Sequence, residues 1–344
     1  MENSMTREVV ITGQGLLSPL GQDLSATWAG LHDPAAVAAA ARTDVMPPFT
    51  VYPMAPPPVD KYVPKRGDQR AMGPFMLQGC VAAGMAMEQA GLLGNQDLLK
   101  QINLMVGVGG GERDEAVDEA ILAALNGASD GNLLAEQLQT ELRPTLFLAQ
   151  LPNLFAGNIS IVLGVSGSSR TFMGEESAGI DAVRVAYERI ASGQADLFLV
   201  GSAFNAVRQD ISLLYHAGGY LLQDPGLPFW RRPRAGMALG SAGAFVVLES
   251  REHAQARGVT PLPGWPAWST TGAAANQAKR RRMPGVNGRP WRPGRGLPCC
   301  RVPPVSARSP PRSMPSCMNW CRVRPAPRFA RRRWPWAPAW NAPS

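Results

Sequence analysis

Two adjacent carboxylates, Glu175 and Glu176, stand where a short β-rich run gives way to a helical pattern, in the segment GSSRTFMGEESAGIDAV. A helix N-terminus carries a partial positive charge, which keeps a carboxylate at that place ionised. Acidic residues in the first helical turn also occur for stability alone, where each contributes about 0.3–1 kcal/mol. The residues themselves therefore leave two roles open for Glu176, a chemical role and a purely structural one.

A second candidate is the basic run KYVPKRGDQR, which contains Lys61, Lys65, Arg66 and Arg70. Basic residues at the rim of a pocket attract an acidic partner protein through electrostatic complementarity. A solvent-exposed loop without a binding role has the same composition, so both interpretations of this run remain open.

Imidazole and thiol groups are scarce in this sequence. His32, His216 and His253 are its three histidines, and their helical surroundings favour surface or packing roles. Cys80 is the single cysteine of residues 1–263 and lies in an apolar stretch, as a buried thiol does in a reducing compartment. Because the N-terminus has no signal-peptide pattern and no apolar run reaches 18 residues, we expect a cytoplasmic chain without a membrane span.

The glycines of GVGGGERD, which begins at Gly107, raise the question of a phosphate-binding loop. The segment lacks the G-x-x-x-x-G-K-[ST] pattern of such loops, so a turn after a buried strand is the better interpretation. We expect neither a cofactor nor a metal ion to bind this chain.

Strand-like and helix-like patterns alternate along the first 262 residues, which predicts an α/β layered architecture. We expect a strand over Ser169–Met173 and a helix from Glu176 to Ser192. Residues 43–66 are rich in proline and are expected to form an irregular surface excursion. The predicted helix presents one apolar face at steps of three, four and three residues: Ile180, Val183, Tyr187 and Ile190.

Four motifs carry a resemblance to a known family, in the family's order and spacing: VVITGQGLLSPLG, LAQLPNLFAGNISIVLGVSGSSRTF, ASGQADLFLVGSA and ALGSAGAFVVLESREHAQARG. Over roughly residues 6–262 the sequence resembles the β-ketoacyl-acyl-carrier-protein synthases, which condense acyl thioesters with malonyl carrier protein in fatty acid biosynthesis. The resemblance implies a thiolase-like fold, with residues 1–262 as its N-terminal half plus part of the link to the second half. It also implies dimers, and docking of acyl carrier protein on the basic run.

In active members of this family a cysteine at the elbow accepts the acyl chain. Anchored on Gly179, the run GEESAG places Glu176 at the cysteine position. The resemblance places Ser177, Gly179 and Phe155 at the acyl pocket. A carboxylate is a poor acyl acceptor because the product is a reactive anhydride, so Glu176 argues against condensation through a covalent acyl-enzyme.

The family also needs two histidines from its C-terminal half, and no histidine follows His253 here. We therefore expect a synthase-like protein without condensing activity of its own. The elbow looks most like that of the Glu-bearing synthase-like proteins linked to very-long-chain acyl and lipid A synthesis. Chain-length-factor subunits, which lack the cysteine and pair with an active synthase, give the alternative, a non-catalytic partner in a homodimer or heterodimer.

The composition changes abruptly near Gly264. The whole chain carries a net charge of +8, and residues 264–344 contain one Lys, fifteen Arg and no acidic residue, so residues 1–263 carry −8. Proline recurs throughout this tail, which removes any strand or helix period, and we expect residues 263–344 to be disordered. Nucleic-acid binding and a zinc site are weaker interpretations, because the tail has no groove-forming pattern and two of its four cysteines are adjacent (Cys299, Cys300, Cys317 and Cys321).

The Arg, Pro, Trp and Cys bias of the tail is typical of a GC-rich gene translated in a shifted frame. We therefore predict that the locus encodes, in another frame downstream of codon 264, a segment with His-Gly-Thr-Gly-Thr. Genomic sequencing checks this prediction, and a downstream region without such a frame would contradict it.

Overall fold

A computed structural model describes the first of two compact units, which spans residues 1–280. The residues that it describes are 7–126, 132–141, 144–174, 177–222, 227 and 229–263. The predicted tail, with its cysteines, lies outside them except for residue 263, and so do Glu175 and Glu176.

The described strands are β1 (Val9–Leu17), β2 (Arg42–Met46), β3 (Phe49–Tyr52), β4 (Asn103–Val108), β5 (Ser169–Met173), β6 (Leu197–Phe204), β7 (Leu239–Gly240) and β8 (Ala242–Ser250).

The described helices are α1 (Leu24–Leu31), α2 (Pro34–Ala40), α3 (Val59–Tyr62), α4 (Arg66–Arg70), α5 (Pro74–Gln89), α6 (Gln96–Leu99), α7 (Glu115–Leu125), α8 (Leu133–Glu141), α9 (Pro144–Ala149), α10 (Leu154–Leu163), α11 (Ala178–Ala191), α12 (Gln209–Ala217) and α13 (Arg251–Ala256). Phe229–Arg231 form a short 3₁₀ turn.

The main sheet has five strands in the order β1-β8-β6-β4-β5. Strands β6, β4 and β5 are parallel, whereas β8 runs antiparallel to both β6 and β1. A smaller sheet has the order β2-β3-β7. The expectation that residues 43–66 are irregular is therefore wrong for β2 and β3, because their backbone groups pair with each other and with β7.

Helices cover both faces of the main sheet, as alternation of side chains along the strands requires. In β4, Leu104 and Val106 face the core that α5 and α10 form, while Met105 faces the core that α11 forms. The α5 helix is buried on nearly every side, as its Ala- and Met-rich sequence predicts.

Two glycines inside β1 are required by packing and not by a turn. A Cβ on Gly13 would overlap the carbonyl oxygen of Ala86, and one on Gly15 would overlap that of Ala82. Glycine at both positions therefore allows α5 to pack directly against the backbone of β1.

A fully buried carboxylate ties the far end of the sheet together. Glu249 accepts hydrogen bonds from the Arg257 guanidinium at 2.8 and 3.1 Å, from Thr12 Oγ1 at 2.5 Å and from His253 Nδ1 at 2.7 Å. Arg257 also donates to the carbonyl oxygen of Ala90 at 3.0 Å. These bonds join β8, β1, α13 and the C-terminus of α5, and they place His253 in a structural network.

Candidate functional site

The carboxyl ends of the parallel strands β4, β5 and β6 meet at one edge of the sheet, where open α/β sheets form their ligand sites. Helix α11 begins at this edge because it follows β5 directly. The loop after β4, the loop after β6 and the N-terminus of α5 lie there too, since Glu112, Asn205 and Gly73 line a single cavity.

The elbow between β5 and α11 turns at Gly174, whose φ of +148° is one that side chains rarely adopt. The Gly174 N–H donates to the carbonyl oxygen of Val108 at 2.9 Å, which fixes the elbow to the end of β4. Ser177 is exposed at the N-cap of α11 and makes no capping hydrogen bond with its side chain. The predicted roles of Glu176 and Ser177 remain predictions, and Glu176 lies outside the described residues.

Gly179 is where α11 comes closest to the sheet. A Cβ built on Gly107 of β4 would lie 2.5 Å from the Gly179 nitrogen and 2.7 Å from its Cα. A Cβ on Gly179 would lie 3.4 Å from Cβ of Ser202 on β6. The first turn of α11 thus packs directly on β4 and β6, because the residues in contact have little or no side chain.

The buried face of α11 agrees with the predicted one at three of four residues, because Ile190 is buried and Val183 and Tyr187 are partly buried against the same core. Ala178, Ala182 and Ala186 are buried at steps of four, and Ile190 completes the stripe. Ile180 is 72% exposed, so its assignment to the core face is wrong. Alanines allow the close approach to the sheet that larger side chains would prevent.

Phe155 lies on the opposite face of the sheet from α11. It is fully buried in α10, and its ring packs against those of Phe75 and Phe245 at centroid distances of 5.3 and 6.0 Å. Its predicted place in an acyl pocket stays a prediction; in the described residues it is a core side chain.

The four basic residues do not form one continuous patch. Lys61 binds Glu88 at 2.7 Å near the C-terminus of α5 and lines a groove of about 880 Å³. Arg70 lines a different cavity at the N-terminus of α5, a helix about 24 Å long. Lys65 and Arg66 are exposed at the start of α4, and the predicted docking role of all four basic residues stays a prediction.

The cavity beside Arg70 contains a buried acid that the sequence analysis did not single out. Glu112 is 5% exposed, and its Oε2 accepts a hydrogen bond from the Phe75 N–H in the first turn of α5 at 3.1 Å. Burial raises the pKa of the Glu112 carboxyl, while the Phe75 N–H bond, the Asn205 amide and the Arg208 charge act in the opposite direction. The available signal was a charged residue directly after three glycines at a strand end.

No thiol lies at the elbow in the described residues. Cys80 lies in the second turn of α5 and is fully buried, and burial raises its pKa to about 12. His32 bonds to the carbonyl oxygen of Trp28, and the His216 ring packs against Phe49 at 5.4 Å. These contacts agree with the predicted packing roles of the histidines.

Within the described ranges, no group of three or more His, Cys, Asp or Glu side chains is placed to hold a metal ion. Over the same ranges, no helix combines the length and the apolar character needed to cross a bilayer.

Solved structures with the same fold are ketosynthases. A β-ketoacyl synthase from Burkholderia phymatum has a TM-score of 0.59 at 22% identity, covering 74% of this chain and 62% of its own. The ishigamide ketosynthase/chain length factor has a TM-score of 0.59 at 23% identity, covering 74% of this chain and 61% of its own. A type II polyketide acyl-carrier protein in complex with its ketosynthase has a TM-score of 0.55 at 24% identity, covering 74% of this chain and 65% of its own. At these identities the likeness shows the fold alone, which is thiolase-like.

The sequence defines the family. The profile described as "Beta-ketoacyl synthase, N-terminal domain" matches residues 6–254, and the chain therefore belongs to the β-ketoacyl synthase family. Nodulation protein E of Rhizobium leguminosarum bv. trifolii is 29% identical over 261 residues, covering 75% of this chain and 62% of its own length. 3-oxoacyl-[acyl-carrier-protein] synthase 2 of Vibrio cholerae is 28% identical over 263 residues, covering 73% and 60%. The chain thus spans less than two thirds of these relatives.

The contact between Gly107 and Gly179 gives a test of the elbow. We predict that Gly107→Ala destabilises the fold by about 1–3 kcal/mol, because the new methyl group forces α11 away from β4. The matched control is Gly157→Ala in α10, where no atom lies within 4 Å of the added Cβ. Because alanine favours helix more than glycine, the control should gain up to about 1 kcal/mol. Urea unfolding measures both, and equal stabilities would contradict the described elbow.

Proposed function

We propose that this chain is a 3-oxoacyl-acyl-carrier-protein synthase-like protein of fatty acid biosynthesis that binds acyl carrier protein and does not itself condense acyl chains. The supporting observation is the location of the thiol of Cys80. The only cysteine of residues 1–263 lies in the core of α5, and its raised pKa leaves almost no thiolate near neutral pH.

The elbow supports the same proposal. In the family a cysteine just before the first turn of α11 would gain thiolate character from the helix N-terminus. Glu176 occupies that position in the sequence. A carboxylate shares the favourable electrostatics but yields an anhydride on acylation, so it does not carry a chain through a ping-pong reaction.

We assign carrier-protein docking to Lys65, Arg66 and Arg70. All three are exposed on or beside α4, next to the edge of the sheet where α11 begins. Lys61 was predicted with them, but its ammonium group is paired with Glu88, and we give it a smaller contribution.

We predict that the purified chain binds acyl carrier protein but produces no 3-oxoacyl product from acyl- and malonyl-carrier protein. Biolayer interferometry measures binding, and mass spectrometry of the carrier-bound products measures extension, with an active synthase as the positive control. Lys65→Glu and Arg66→Glu should each weaken binding about tenfold at low salt and less at high salt, since exposed charges are screened.

The matched control for docking is Lys100→Glu, which reverses an exposed charge that sits beside Asp97 on another surface. The Arg-rich tail is common to all variants, so a difference between them reports on α4 alone. Detection of a 3-oxoacyl product would overturn the proposed lack of activity. Equal carrier binding by all variants would overturn the docking surface.

A second candidate function is that of a partner subunit for an active synthase. Strand β5 forms an edge of the main sheet, so its outer backbone groups are available to pair with another strand. Three large apolar side chains on β5 and its neighbouring helices are exposed: Ile161 (70%), Met173 (65%) and Ile180 (72%). An unpaired edge beside exposed apolar residues is the kind of surface that a second, similar subunit covers.

For this candidate we predict that the chain forms a heterodimer when it is co-expressed with a β-ketoacyl synthase of its own organism. Light scattering after size-exclusion chromatography measures both this species and any homodimer. Ile180→Asp should lower the dimer fraction at least about tenfold, because a charge on the interface loses its hydration. The control is Leu122→Asp on α7, where the native side chain is similarly exposed at 66%. Unchanged dimerisation by Ile180→Asp would rule out this surface.

A further inference from the structure

The cavity at the N-terminus of α5 has the size of a ligand site. Its volume is about 330 Å³, which is near the lower end of the range for small-molecule pockets and far above the space of one water. Among the described residues, its lining does not include Gly174, Ser177 or Gly179.

One of the residues that line this cavity carries a buried oxygen without a partner in the described part of the chain. Glu112 lines it, and Glu112 Oε1 has no hydrogen-bond partner among the described residues. The neighbouring Asn205 amide lowers the pKa of this carboxyl, but its hydrogen bonds in the structure are to Val207 and Ser241. A buried carboxyl oxygen without a donor is unfavourable, so a donor that enters the cavity would be stabilised there.

Glu112 is held in this position by the helix that it caps. Its Oε2 accepts the Phe75 N–H, and a Cβ on Gly73 would overlap Oε2, so glycine at the N-cap of α5 is what admits the carboxyl group. With Oε2 used by the helix, Oε1 remains as the oxygen available to a ligand.

The other charged residues around the cavity are already engaged. Asp114 caps α7, and Glu115 accepts the backbone N–H of Gln209 at 2.5 Å. Arg113 makes two bonds to Asp118, at 2.6 and 2.7 Å. None of these groups needs a ligand to complete its hydrogen bonding.

Arg70 is different from these residues. It lines the cavity from α4 and is exposed, and in the described part of the chain no carboxylate lies within ion-pair distance of its guanidinium. A guanidinium group binds carboxylates and phosphates through paired N–H donors. The residues that line the cavity therefore include an acceptor without a partner in the described ranges and an exposed cationic donor group.

We propose that this cavity binds a small organic anion that also carries a hydroxyl or amide N–H donor. The donor binds Glu112 Oε1, and the anionic group binds Arg70. Met72, Ala149 and Val207 supply apolar wall between the two, which suits a short carbon chain. This site shares Arg70 with the proposed docking surface, but it concerns a small ligand and its test uses no carrier protein.

The test uses the full chain and three small probes in isothermal titration calorimetry. 3-hydroxybutyrate carries both groups, butyrate lacks the donor, and 1,3-butanediol lacks the anion. We expect 3-hydroxybutyrate to bind about tenfold more tightly than either of the others, since each loses one charge-assisted hydrogen bond. Equal affinities, or no binding of any probe at millimolar concentration, would overturn the proposal.

Two variants identify the residues. In Glu112→Gln the side-chain oxygen must still accept the Phe75 N–H, so the NH₂ group turns to the cavity and replaces the acceptor with a donor. The preference for 3-hydroxybutyrate over butyrate should then disappear. Arg70→Gln should weaken both carboxylates about tenfold.

The matched control is Arg184→Gln, which removes the same charge from an exposed arginine of α11 that does not line the cavity. It should leave all three affinities unchanged, and an effect equal to that of Arg70→Gln would overturn the assignment of Arg70. Circular dichroism checks the fold of each variant. If Glu112→Gln does not fold, the probe series on the native chain still decides the proposal.

Discussion

The close approach of α11 to β4 is the constraint on which the carboxyl edge of the sheet depends. Gly107 and Gly179 meet with no space for a side chain between them, and the Gly174 N–H fixes the elbow to the end of β4. Because the N-terminal half of the helix then lies directly on the strands, its buried residues there are alanines. The alanines of α11, the glycine of the elbow and the glycine of the strand together allow α11 to pack closely against β4.

Helix α5 organises the other face of the same sheet. It packs onto glycine backbone in β1, its C-terminal end is bonded to the Glu249 network through Arg257, and Glu112 caps its N-terminal end. One oxygen of the Glu112 carboxyl thus caps the helix, and the other has no hydrogen-bond partner among the described residues. The burial of this helix also raises the pKa of the Cys80 thiol, which keeps the thiol protonated and unreactive.

These two helices separate features that a family comparison would place together. The thiol of the described chain lies within α5, on the sheet face opposite to α11. The basic residues divide in the same way, because Lys61 follows the C-terminal half of α5 and Arg70 its N-terminus. Carrier docking without condensation is the function that this separation supports best.

The sequence by itself determined the family, the α/β alternation, the strand at Ser169–Met173 and the burial of α5, because each depends on local pattern or on motif order. Tertiary structure decided which face of α11 is buried, the strands within residues 43–66 and the role of Glu112. The spacing of large apolar residues placed Ile180 on the core face, whereas the small residues Ala178 and Ala182 are the ones buried there. A glutamate after three glycines becomes a buried helix cap only when a distant segment supplies the helix.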